Sequence, residues 1–158
     1  MPVRKPALDP QTVATVSNTV YPEPYRSRVL PRHKRRLGDA LGLTHIGINL
    51  TTLAPGKESS MRHWHTAEDE FVYVLEGEVV LRTDRGEQML RAGMCAGFPA
   101  GTADGHQLIN RSGRPAVYLE VSNRMEADVV YYTDPDVDMV WNPPHAPGKV
   151  TRRDGTPY

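Results

Sequence analysis

Arg62-His63-Trp64-His65-Thr66-Ala67-Glu68-Asp69-Glu70-Phe71-Val72-Tyr73-Val74-Leu75-Glu76-Gly77 is the stretch from which the fold is read. On an extended strand successive side chains point to opposite faces, so His63 and His65 project from one face while Trp64 turns to the other. Two imidazoles facing one cavity are a chelating pair. Glu70 opens the apolar run Phe71 to Leu75, and a short connection over Thr66 to Asp69 returns its carboxylate to the pair. His106 heads Gln107-Leu108-Ile109-Asn110 after the turn-rich stretch Phe98 to Gly105, and a strand starting there supplies a fourth donor. Three imidazoles and one carboxylate suit a divalent zinc, nickel, manganese or iron ion, with coordination positions left open if the ion prefers five or six ligands. Singly, each of these residues is an ordinary surface or core polar group. Their joint pattern predicts a metal site of His63, His65, Glu70 and His106.

The same residues carry a family resemblance. Gly56, His63, His65, Glu70 and Gly77 resemble the first motif of the cupin superfamily, and Gly93, Pro99, Gly101, His106 and Asn110 resemble the second. Two spacings are longer than the family's: six residues rather than five separate Gly56 from His63, and four rather than two separate Gly101 from His106. More narrowly, the run from Trp64 to Gly77, the loop Gly97-Phe98-Pro99-Ala100-Gly101 and the end Asp154-Gly155-Thr156-Pro157-Tyr158 are similar to a group of small bacterial single cupins, often labelled sugar-phosphate-isomerase-like. The resemblance covers about residues 40 to 125. It implies an all-β double-stranded β-helix, or jelly-roll barrel, with the metal inside, and a homodimer that pairs through its sheets and exchanges terminal strands.

At 158 residues and 17.6 kDa the chain has room for one domain with its own core. Fourteen prolines and thirteen glycines argue against long helices. No run reaches the length of a membrane span and the amino end has no apolar signal core, so a cytoplasmic location is expected. The lone Cys95 agrees with a reducing compartment; within the strand Met94 to Phe98 it is read as a buried small hydrophobe. Formal charge is zero, yet residues 1 to 36 carry +6 and the rest −6. The basic cluster Arg32-His33-Lys34-Arg35-Arg36 lacks a helix-turn-helix pattern or stacked aromatics beside it, so it reads as a solvated or subunit-bridging arm rather than a nucleic-acid contact.

Three regions are expected: an extended, basic, Pro-rich arm over 1–36, the barrel over 37–133, and a Pro-rich wrap over 134–158. In the arm, Tyr21-Pro22-Glu23-Pro24-Tyr25 is a stiff apolar strap, because each proline fixes its own φ and extends the residue before it. Leu37 to Leu43 reads as a turn or short helix. Thr44 to Leu53 alternates Ile46, Ile48 and Leu50 against His45, Gly47 and Asn49, a half-buried strand. Further strands follow over Met61 to His65, Phe71 to Leu75, Glu78 to Thr83, Glu87 to Leu90, Met94 to Phe98, His106 to Asn110 and Ala116 to Ser122, and Asp128 to Thr133 has the composition of an edge strand. Turn residues separate them with no helical pattern between, which means an antiparallel sandwich or barrel.

A metal held this way polarises a carbonyl, binds an enediolate, activates water or coordinates dioxygen, and the ligands do not choose. Two non-catalytic alternatives stand beside an enzyme: a small-molecule sensor, and a barrel stapled by a structural metal. Candidate acids and bases are confined to Glu68, Asp69 and Asp104 in the mouth loops. Arg62 and Lys57 near the mouth are in reach of an anionic substrate, although loop cations are usually just solvated; His33, His45 and His145 receive no metal role.

Overall fold

The computed structural model describes residues 6–142 and 149–158. A 3-10 turn at Pro10–Thr12 leads into β1 (Thr15–Val16), α1 (Tyr25–Val29), β2 (Arg32–Arg36), α2 (Leu37–Leu41) and β3 (Ile46–Leu53). Then come β4 (His63–His65), β5 (Glu70–Glu76), β6 (Glu78–Thr83), β7 (Gly86–Arg91), β8 (Cys95–Phe98), β9 (Gln107–Ile109) and β10 (Ala116–Asn123). β11 (Val130–Tyr132), β12 (Val140–Asn142) and β13 (Lys149–Thr151) end the chain. No described helix is long and apolar enough to cross a membrane.

The strands form a six-stranded sheet, β1-β2-β3-β10-β5-β8, a four-stranded sheet, β13-β12-β11-β4, and a three-stranded sheet, β7-β6-β9. All pairings are antiparallel. This is the all-β jelly roll expected. Alternation along β5 sends Val72 and Val74 inward, where they meet Leu53, Val79, Leu81, Leu90, Leu108 and Tyr118 in one buried cluster. Each such aliphatic side chain contributes about 1.5–3 kcal/mol on burial. The chain turns from β5 into β6 at Gly77, whose φ of 74° is left-handed and where a Cβ would meet Pro115 O at 3.0 Å. Only glycine avoids both costs.

Four expectations change. The basic stretch 32–36 is no free arm: β2 pairs along β3 from Arg32↔Leu53 to Arg36↔Asn49 and is held between β3 and β1. The strap before it turns through one helical turn and packs on its own chain, burying Tyr21, Tyr25 and Val29 with Met61, Val130, Tyr132, Val137 and Met139 in a second cluster. Tyr25 also donates its hydroxyl to Asp136 O at 2.8 Å. The segment around Val130 is not an edge, because β11 lies between β4 and β12 and the chain after residue 134 supplies two further strands of that sheet. Cys95 is exposed, since its parity on β8 puts it opposite Tyr73 on the outer face.

The outer face of the six-stranded sheet is itself apolar. Ile48 and Leu50 of β3, Leu119 and Val121 of β10, and Phe71 and Tyr73 of β5 are cross-strand neighbours there. Phe71, Tyr73 and Leu75 stay 40%, 37% and 41% exposed.

Candidate metal centre

β4 and the head of β9 meet at a single bridge, in which His63 and His106 exchange backbone hydrogen bonds of 2.9 and 3.2 Å. That bridge sets the two rings 4.7 Å apart, so the lengthened loop after Gly101 still delivers His106 to the site. The loop closes by a bond from Gly101 N to His65 O, and at Gly105 a Cβ would lie 2.3 Å from Thr133 Oγ1. Close approach therefore requires glycine there. The His106 ring lies flat on Phe98, 3.6 Å between centroids and 2° between planes.

Each β4 histidine spends its Nδ1 on the protein. His63 Nδ1 donates to Met61 O at 2.8 Å, and His65 Nδ1 donates to Asp128 Oδ2 at 2.6 Å. A ring that donates from Nδ1 presents the Nε2 lone pair. The Nε2 atoms of His106, His65 and His63 then lie 2.8, 3.4 and 3.5 Å from Glu70 Oε2. Bonds of about 2.0–2.2 Å to a common ion place neighbouring donors about 3.0–3.4 Å apart, so the spacings of His63 and His65 from Glu70 Oε2 are close to those of donors that share a cation, and that of His106 is shorter. Glu70 Oε2 is buried without a well-formed hydrogen bond, as expected of an oxygen whose lone pair is aimed at such a centre. Burial pushes the Glu70 carboxyl up, but the His106 and His63 rings beside it outweigh this and hold it well below the usual carboxylate range. Burial pushes His63 down, yet Glu70 and Met61 O raise it overall, while at His106 burial prevails over Glu70 and lowers it. The structure thus gathers His63, Glu70 and His106 into one group of possible donors, while His65, 3.4 Å from Glu70 Oε2, groups instead with Glu68 and Asp128.

Asp128 is the participant that sequence reasoning missed. It is fully buried, and besides holding His65 it accepts from Ala67 N at 2.8 Å. Its signal was an acid heading the apolar run Val129 to Tyr132, just as Glu70 heads its own run. The other mouth residues serve the scaffold. Glu68 is buried and accepts from Met125 N at 2.7 Å; Asp69 accepts from Ala100 N and Asp104 from Asp84 N, both at 2.8 Å. Arg62 is held by Asp134 at 2.8 Å and by Asp84, and Lys57 donates to Ser27 O, so neither cation is free for a substrate. Trp64 stacks on Tyr131 of β11 at 5.2 Å. His33 is exposed, His45 is exposed at the border of the same cavity but belongs to neither donor group, and His145 lies outside the described residues.

The four converging side chains line a cavity of about 1370 Å³ whose opposite wall is the inner face of β2, β3 and β10. On that wall Lys34 Nζ lies 2.6 Å from Glu120 Oε2. A cation held by the four would keep one side turned to this space, open to a ligand.

An antiparallel jelly roll with three imidazoles and a carboxylate gathered at its inner wall defines a class, and comparison with known proteins agrees with it. The cupin domain family model matches residues 49–122. A sugar phosphate isomerase from a cupin superfamily, solved from Silicibacter pomeroyi DSS-3, is 42% identical with a TM-score of 0.90, over 97% of this chain and 96% of that one. The chain belongs to the cupin superfamily. A structure from Acidithiobacillus ferrooxidans ATCC 23270, whose name also carries sugar phosphate isomerase, is 32% identical with a TM-score of 0.68 over 80% of each chain. The tetracenomycin polyketide synthase protein TcmJ of Streptomyces glaucescens is 29% identical over 89% of this chain and 93% of its own length.

Proposed function

We propose that the protein is a metal-dependent enzyme acting on a small oxygenated or sugar-like molecule, of isomerase or oxygenase type, with His63, His65, Glu70 and His106 as the ligands. The observation that carries this reading is the convergence of three Nε2 atoms on Glu70 Oε2 at the wall of an open cavity. A structural staple needs no such space. The names of the relatives, an isomerase and a polyketide synthase protein, agree with an enzyme. A zinc, nickel, manganese or iron ion there supplies a Lewis acid to a substrate oxygen. The chain's own contribution is to hold three neutral imidazoles in register, two through Met61 O and Asp128, and to keep Glu70 ionised. Replacing His65 by Ala tests it: metal content measured by atomic emission should drop from one ion per chain toward none while circular dichroism keeps the β-sheet spectrum. Full metal retention would remove His65 from the ligand set, and loss of folding would favour a structural ion.

We further propose that the protein works as a homodimer in the cytoplasm. A second copy is the covering that suits the apolar outer face around Phe71, Tyr73 and Leu75, and a reducing compartment suits the exposed thiol of Cys95 on that same face.

A further inference from the structure

A buried ion pair is a weak structural device, since exchanging it for apolar side chains of similar volume is often neutral or stabilising. Lys34 of β2 and Glu120 of β10 form such a pair at 2.6 Å in the wall of the cavity that holds the four donors, with side chains 24% and 22% exposed. They are largely withdrawn from bulk water yet open to the cavity. Register fixes where Glu120 stands. β5 and β10 pair Glu70 with Ser122 and Val72 with Glu120, so Glu120 is the diagonal neighbour of Glu70 on the inner face of the sheet. Diagonal neighbours stand about 7–8 Å apart. That gap has the span of a small molecule with one end at the proposed metal centre and the other at the ion pair.

The other titratable groups along this cavity are engaged or unsuited to exchange a proton there. Asp39 is paired with Arg124, Glu68 accepts from Met125 N, and Tyr21 packs edge-on to Tyr132 with its phenol raised by burial. His45 and Glu126 are exposed, and arginines keep their protons in proteins. Burial pushes the Glu120 carboxyl up, but Lys34 and Arg32 outweigh this and hold it below its ordinary value. Burial also pushes the Lys34 amine down, against the pull of Glu120. A base kept ionised and an acid with a loosened proton thus sit side by side.

We propose that Lys34 and Glu120 are the general acid and the general base of this cavity, acting together on an α-hydroxy carbonyl compound. The proposal rests on the reading of the cavity as a metal-dependent active site and adds the residues that move the proton. Glu120 takes the proton from the hydroxyl-bearing carbon; the C–H electron pair becomes a carbon–carbon double bond, and the carbonyl π pair passes to its oxygen, which receives a proton from Lys34. The products of this step are a neutral enediol, a protonated Glu120 and a neutral Lys34. Return of the Glu120 proton to the other carbon, while Lys34 takes the proton of the other hydroxyl, moves the carbonyl by one carbon and restores both residues.

The test is proton NMR of hydroxyacetone in D2O with the metal-loaded full chain, which should replace the hydrogens on the hydroxyl-bearing carbon by deuterium. Glu120→Gln and Lys34→Arg should each slow this exchange about 100-fold or more at the metal content of the parent, since general acid–base groups supply factors of that order. Lys34→Arg keeps a cation beside Glu120 but cannot release a proton, whereas Glu120→Asp keeps a base, so the first stays slow and the second recovers part of the rate. Lys34→Arg carries the test if Glu120→Gln fails to fold. Full rate in Lys34→Arg or in Glu120→Gln overturns the assignment, as does a metal-loaded parent that catalyses no exchange. Loss of metal together with loss of rate makes the pair a support of the metal centre and overturns its catalytic role. Chelation separates the two readings. Exchange that needs the metal and ignores both side chains overturns the pair and leaves the metal reading intact; exchange that needs the pair and survives chelation upholds the pair while the metal reading falls.

Discussion

An imidazole can turn only one nitrogen toward a cation, and what the other nitrogen touches decides which. For His65 that decision is made by Asp128 at 2.6 Å, a carboxylate with no exposure and a second hydrogen bond from Ala67 N to fix it. Replacing Asp128 by Asn keeps the shape and weakens the hold on Nδ1–H, so metal affinity should fall about 10- to 100-fold with the fold retained, read by titration against a competing chelator. Unchanged affinity would take Asp128 out of the site. Protons compete with metal at the same rings. In the metal-free protein His63 is raised, so its protonated form beside Glu70 adds stability below the ordinary imidazole range that is lost as pH rises through the raised value. Glu70 is lowered, so its contribution is present above the ordinary carboxylate range and lost as pH falls through the depressed value. A metal needs His63 neutral. The gain in Tm on adding metal should therefore grow as pH rises from about 5.5 to about 8, and a flat or shrinking gain would contradict the ligand set. His63, His65, Glu70 and His106 were legible because their positions relative to strand heads are written in the chain itself. Asp128 was not, since its meaning comes from β11 lying beside β4, a pairing of segments 63 residues apart.

Among the elements, the loop between β8 and β9 is where placement is tightest. An added Cβ at Gly105 would lie 2.3 Å from Thr133 Oγ1 and 2.7 Å from Thr133 Cγ2, so the loop must shift to accept it. Gly105→Ala should cost about 1–3 kcal/mol of stability and, by moving His106, weaken metal binding as well. Thermal unfolding and metal titration check the two effects, and a variant as stable and as tight as the parent would show that the loop has slack. β5 and β6 were legible as strand-like runs divided at Gly77. β2 was not: four cations and a histidine in a row show no period of two, and the strand exists because β3 and β1 pair with it on either side. β3 shows a related limit. Its alternation was visible, but the more apolar face, Ile46, Ile48 and Leu50, is the outer one, and Thr51 and Leu53 are buried inside. A barrel that encloses a polar cavity inverts the usual sense of the pattern.

At the scale of the whole molecule, the outer sheet face and the cavity ask for different occupants. If a second copy covers Phe71, Tyr73 and Leu75, then Tyr73→Glu puts a charge into the contact and should convert a dimer to a monomer at micromolar concentration, leaving metal content unchanged. Light scattering reads it, and a parent chain that is already monomeric sinks the dimer. Packing of the strap from Tyr21 to Val29 on its own chain carries a separate expectation. Val29→Ala should lower stability by about 1–3 kcal/mol without altering the oligomeric state, as a core residue would; a change in assembly would mean that the strap also reaches a neighbour.

The order of the parts along the chain matters for descent. The four converging donors lie within residues 49–122, the portion shared with the cupin domain family, whereas the cationic wall comes from β2, upstream of it. The proposed metal centre and the charged wall across the cavity from it are thus written in separate stretches of sequence. Exchange of the amino-terminal stretch changes that wall without touching the proposed ligands, and grafting residues 6–36 of one relative onto the barrel of another should leave metal content, measured by atomic emission, unchanged.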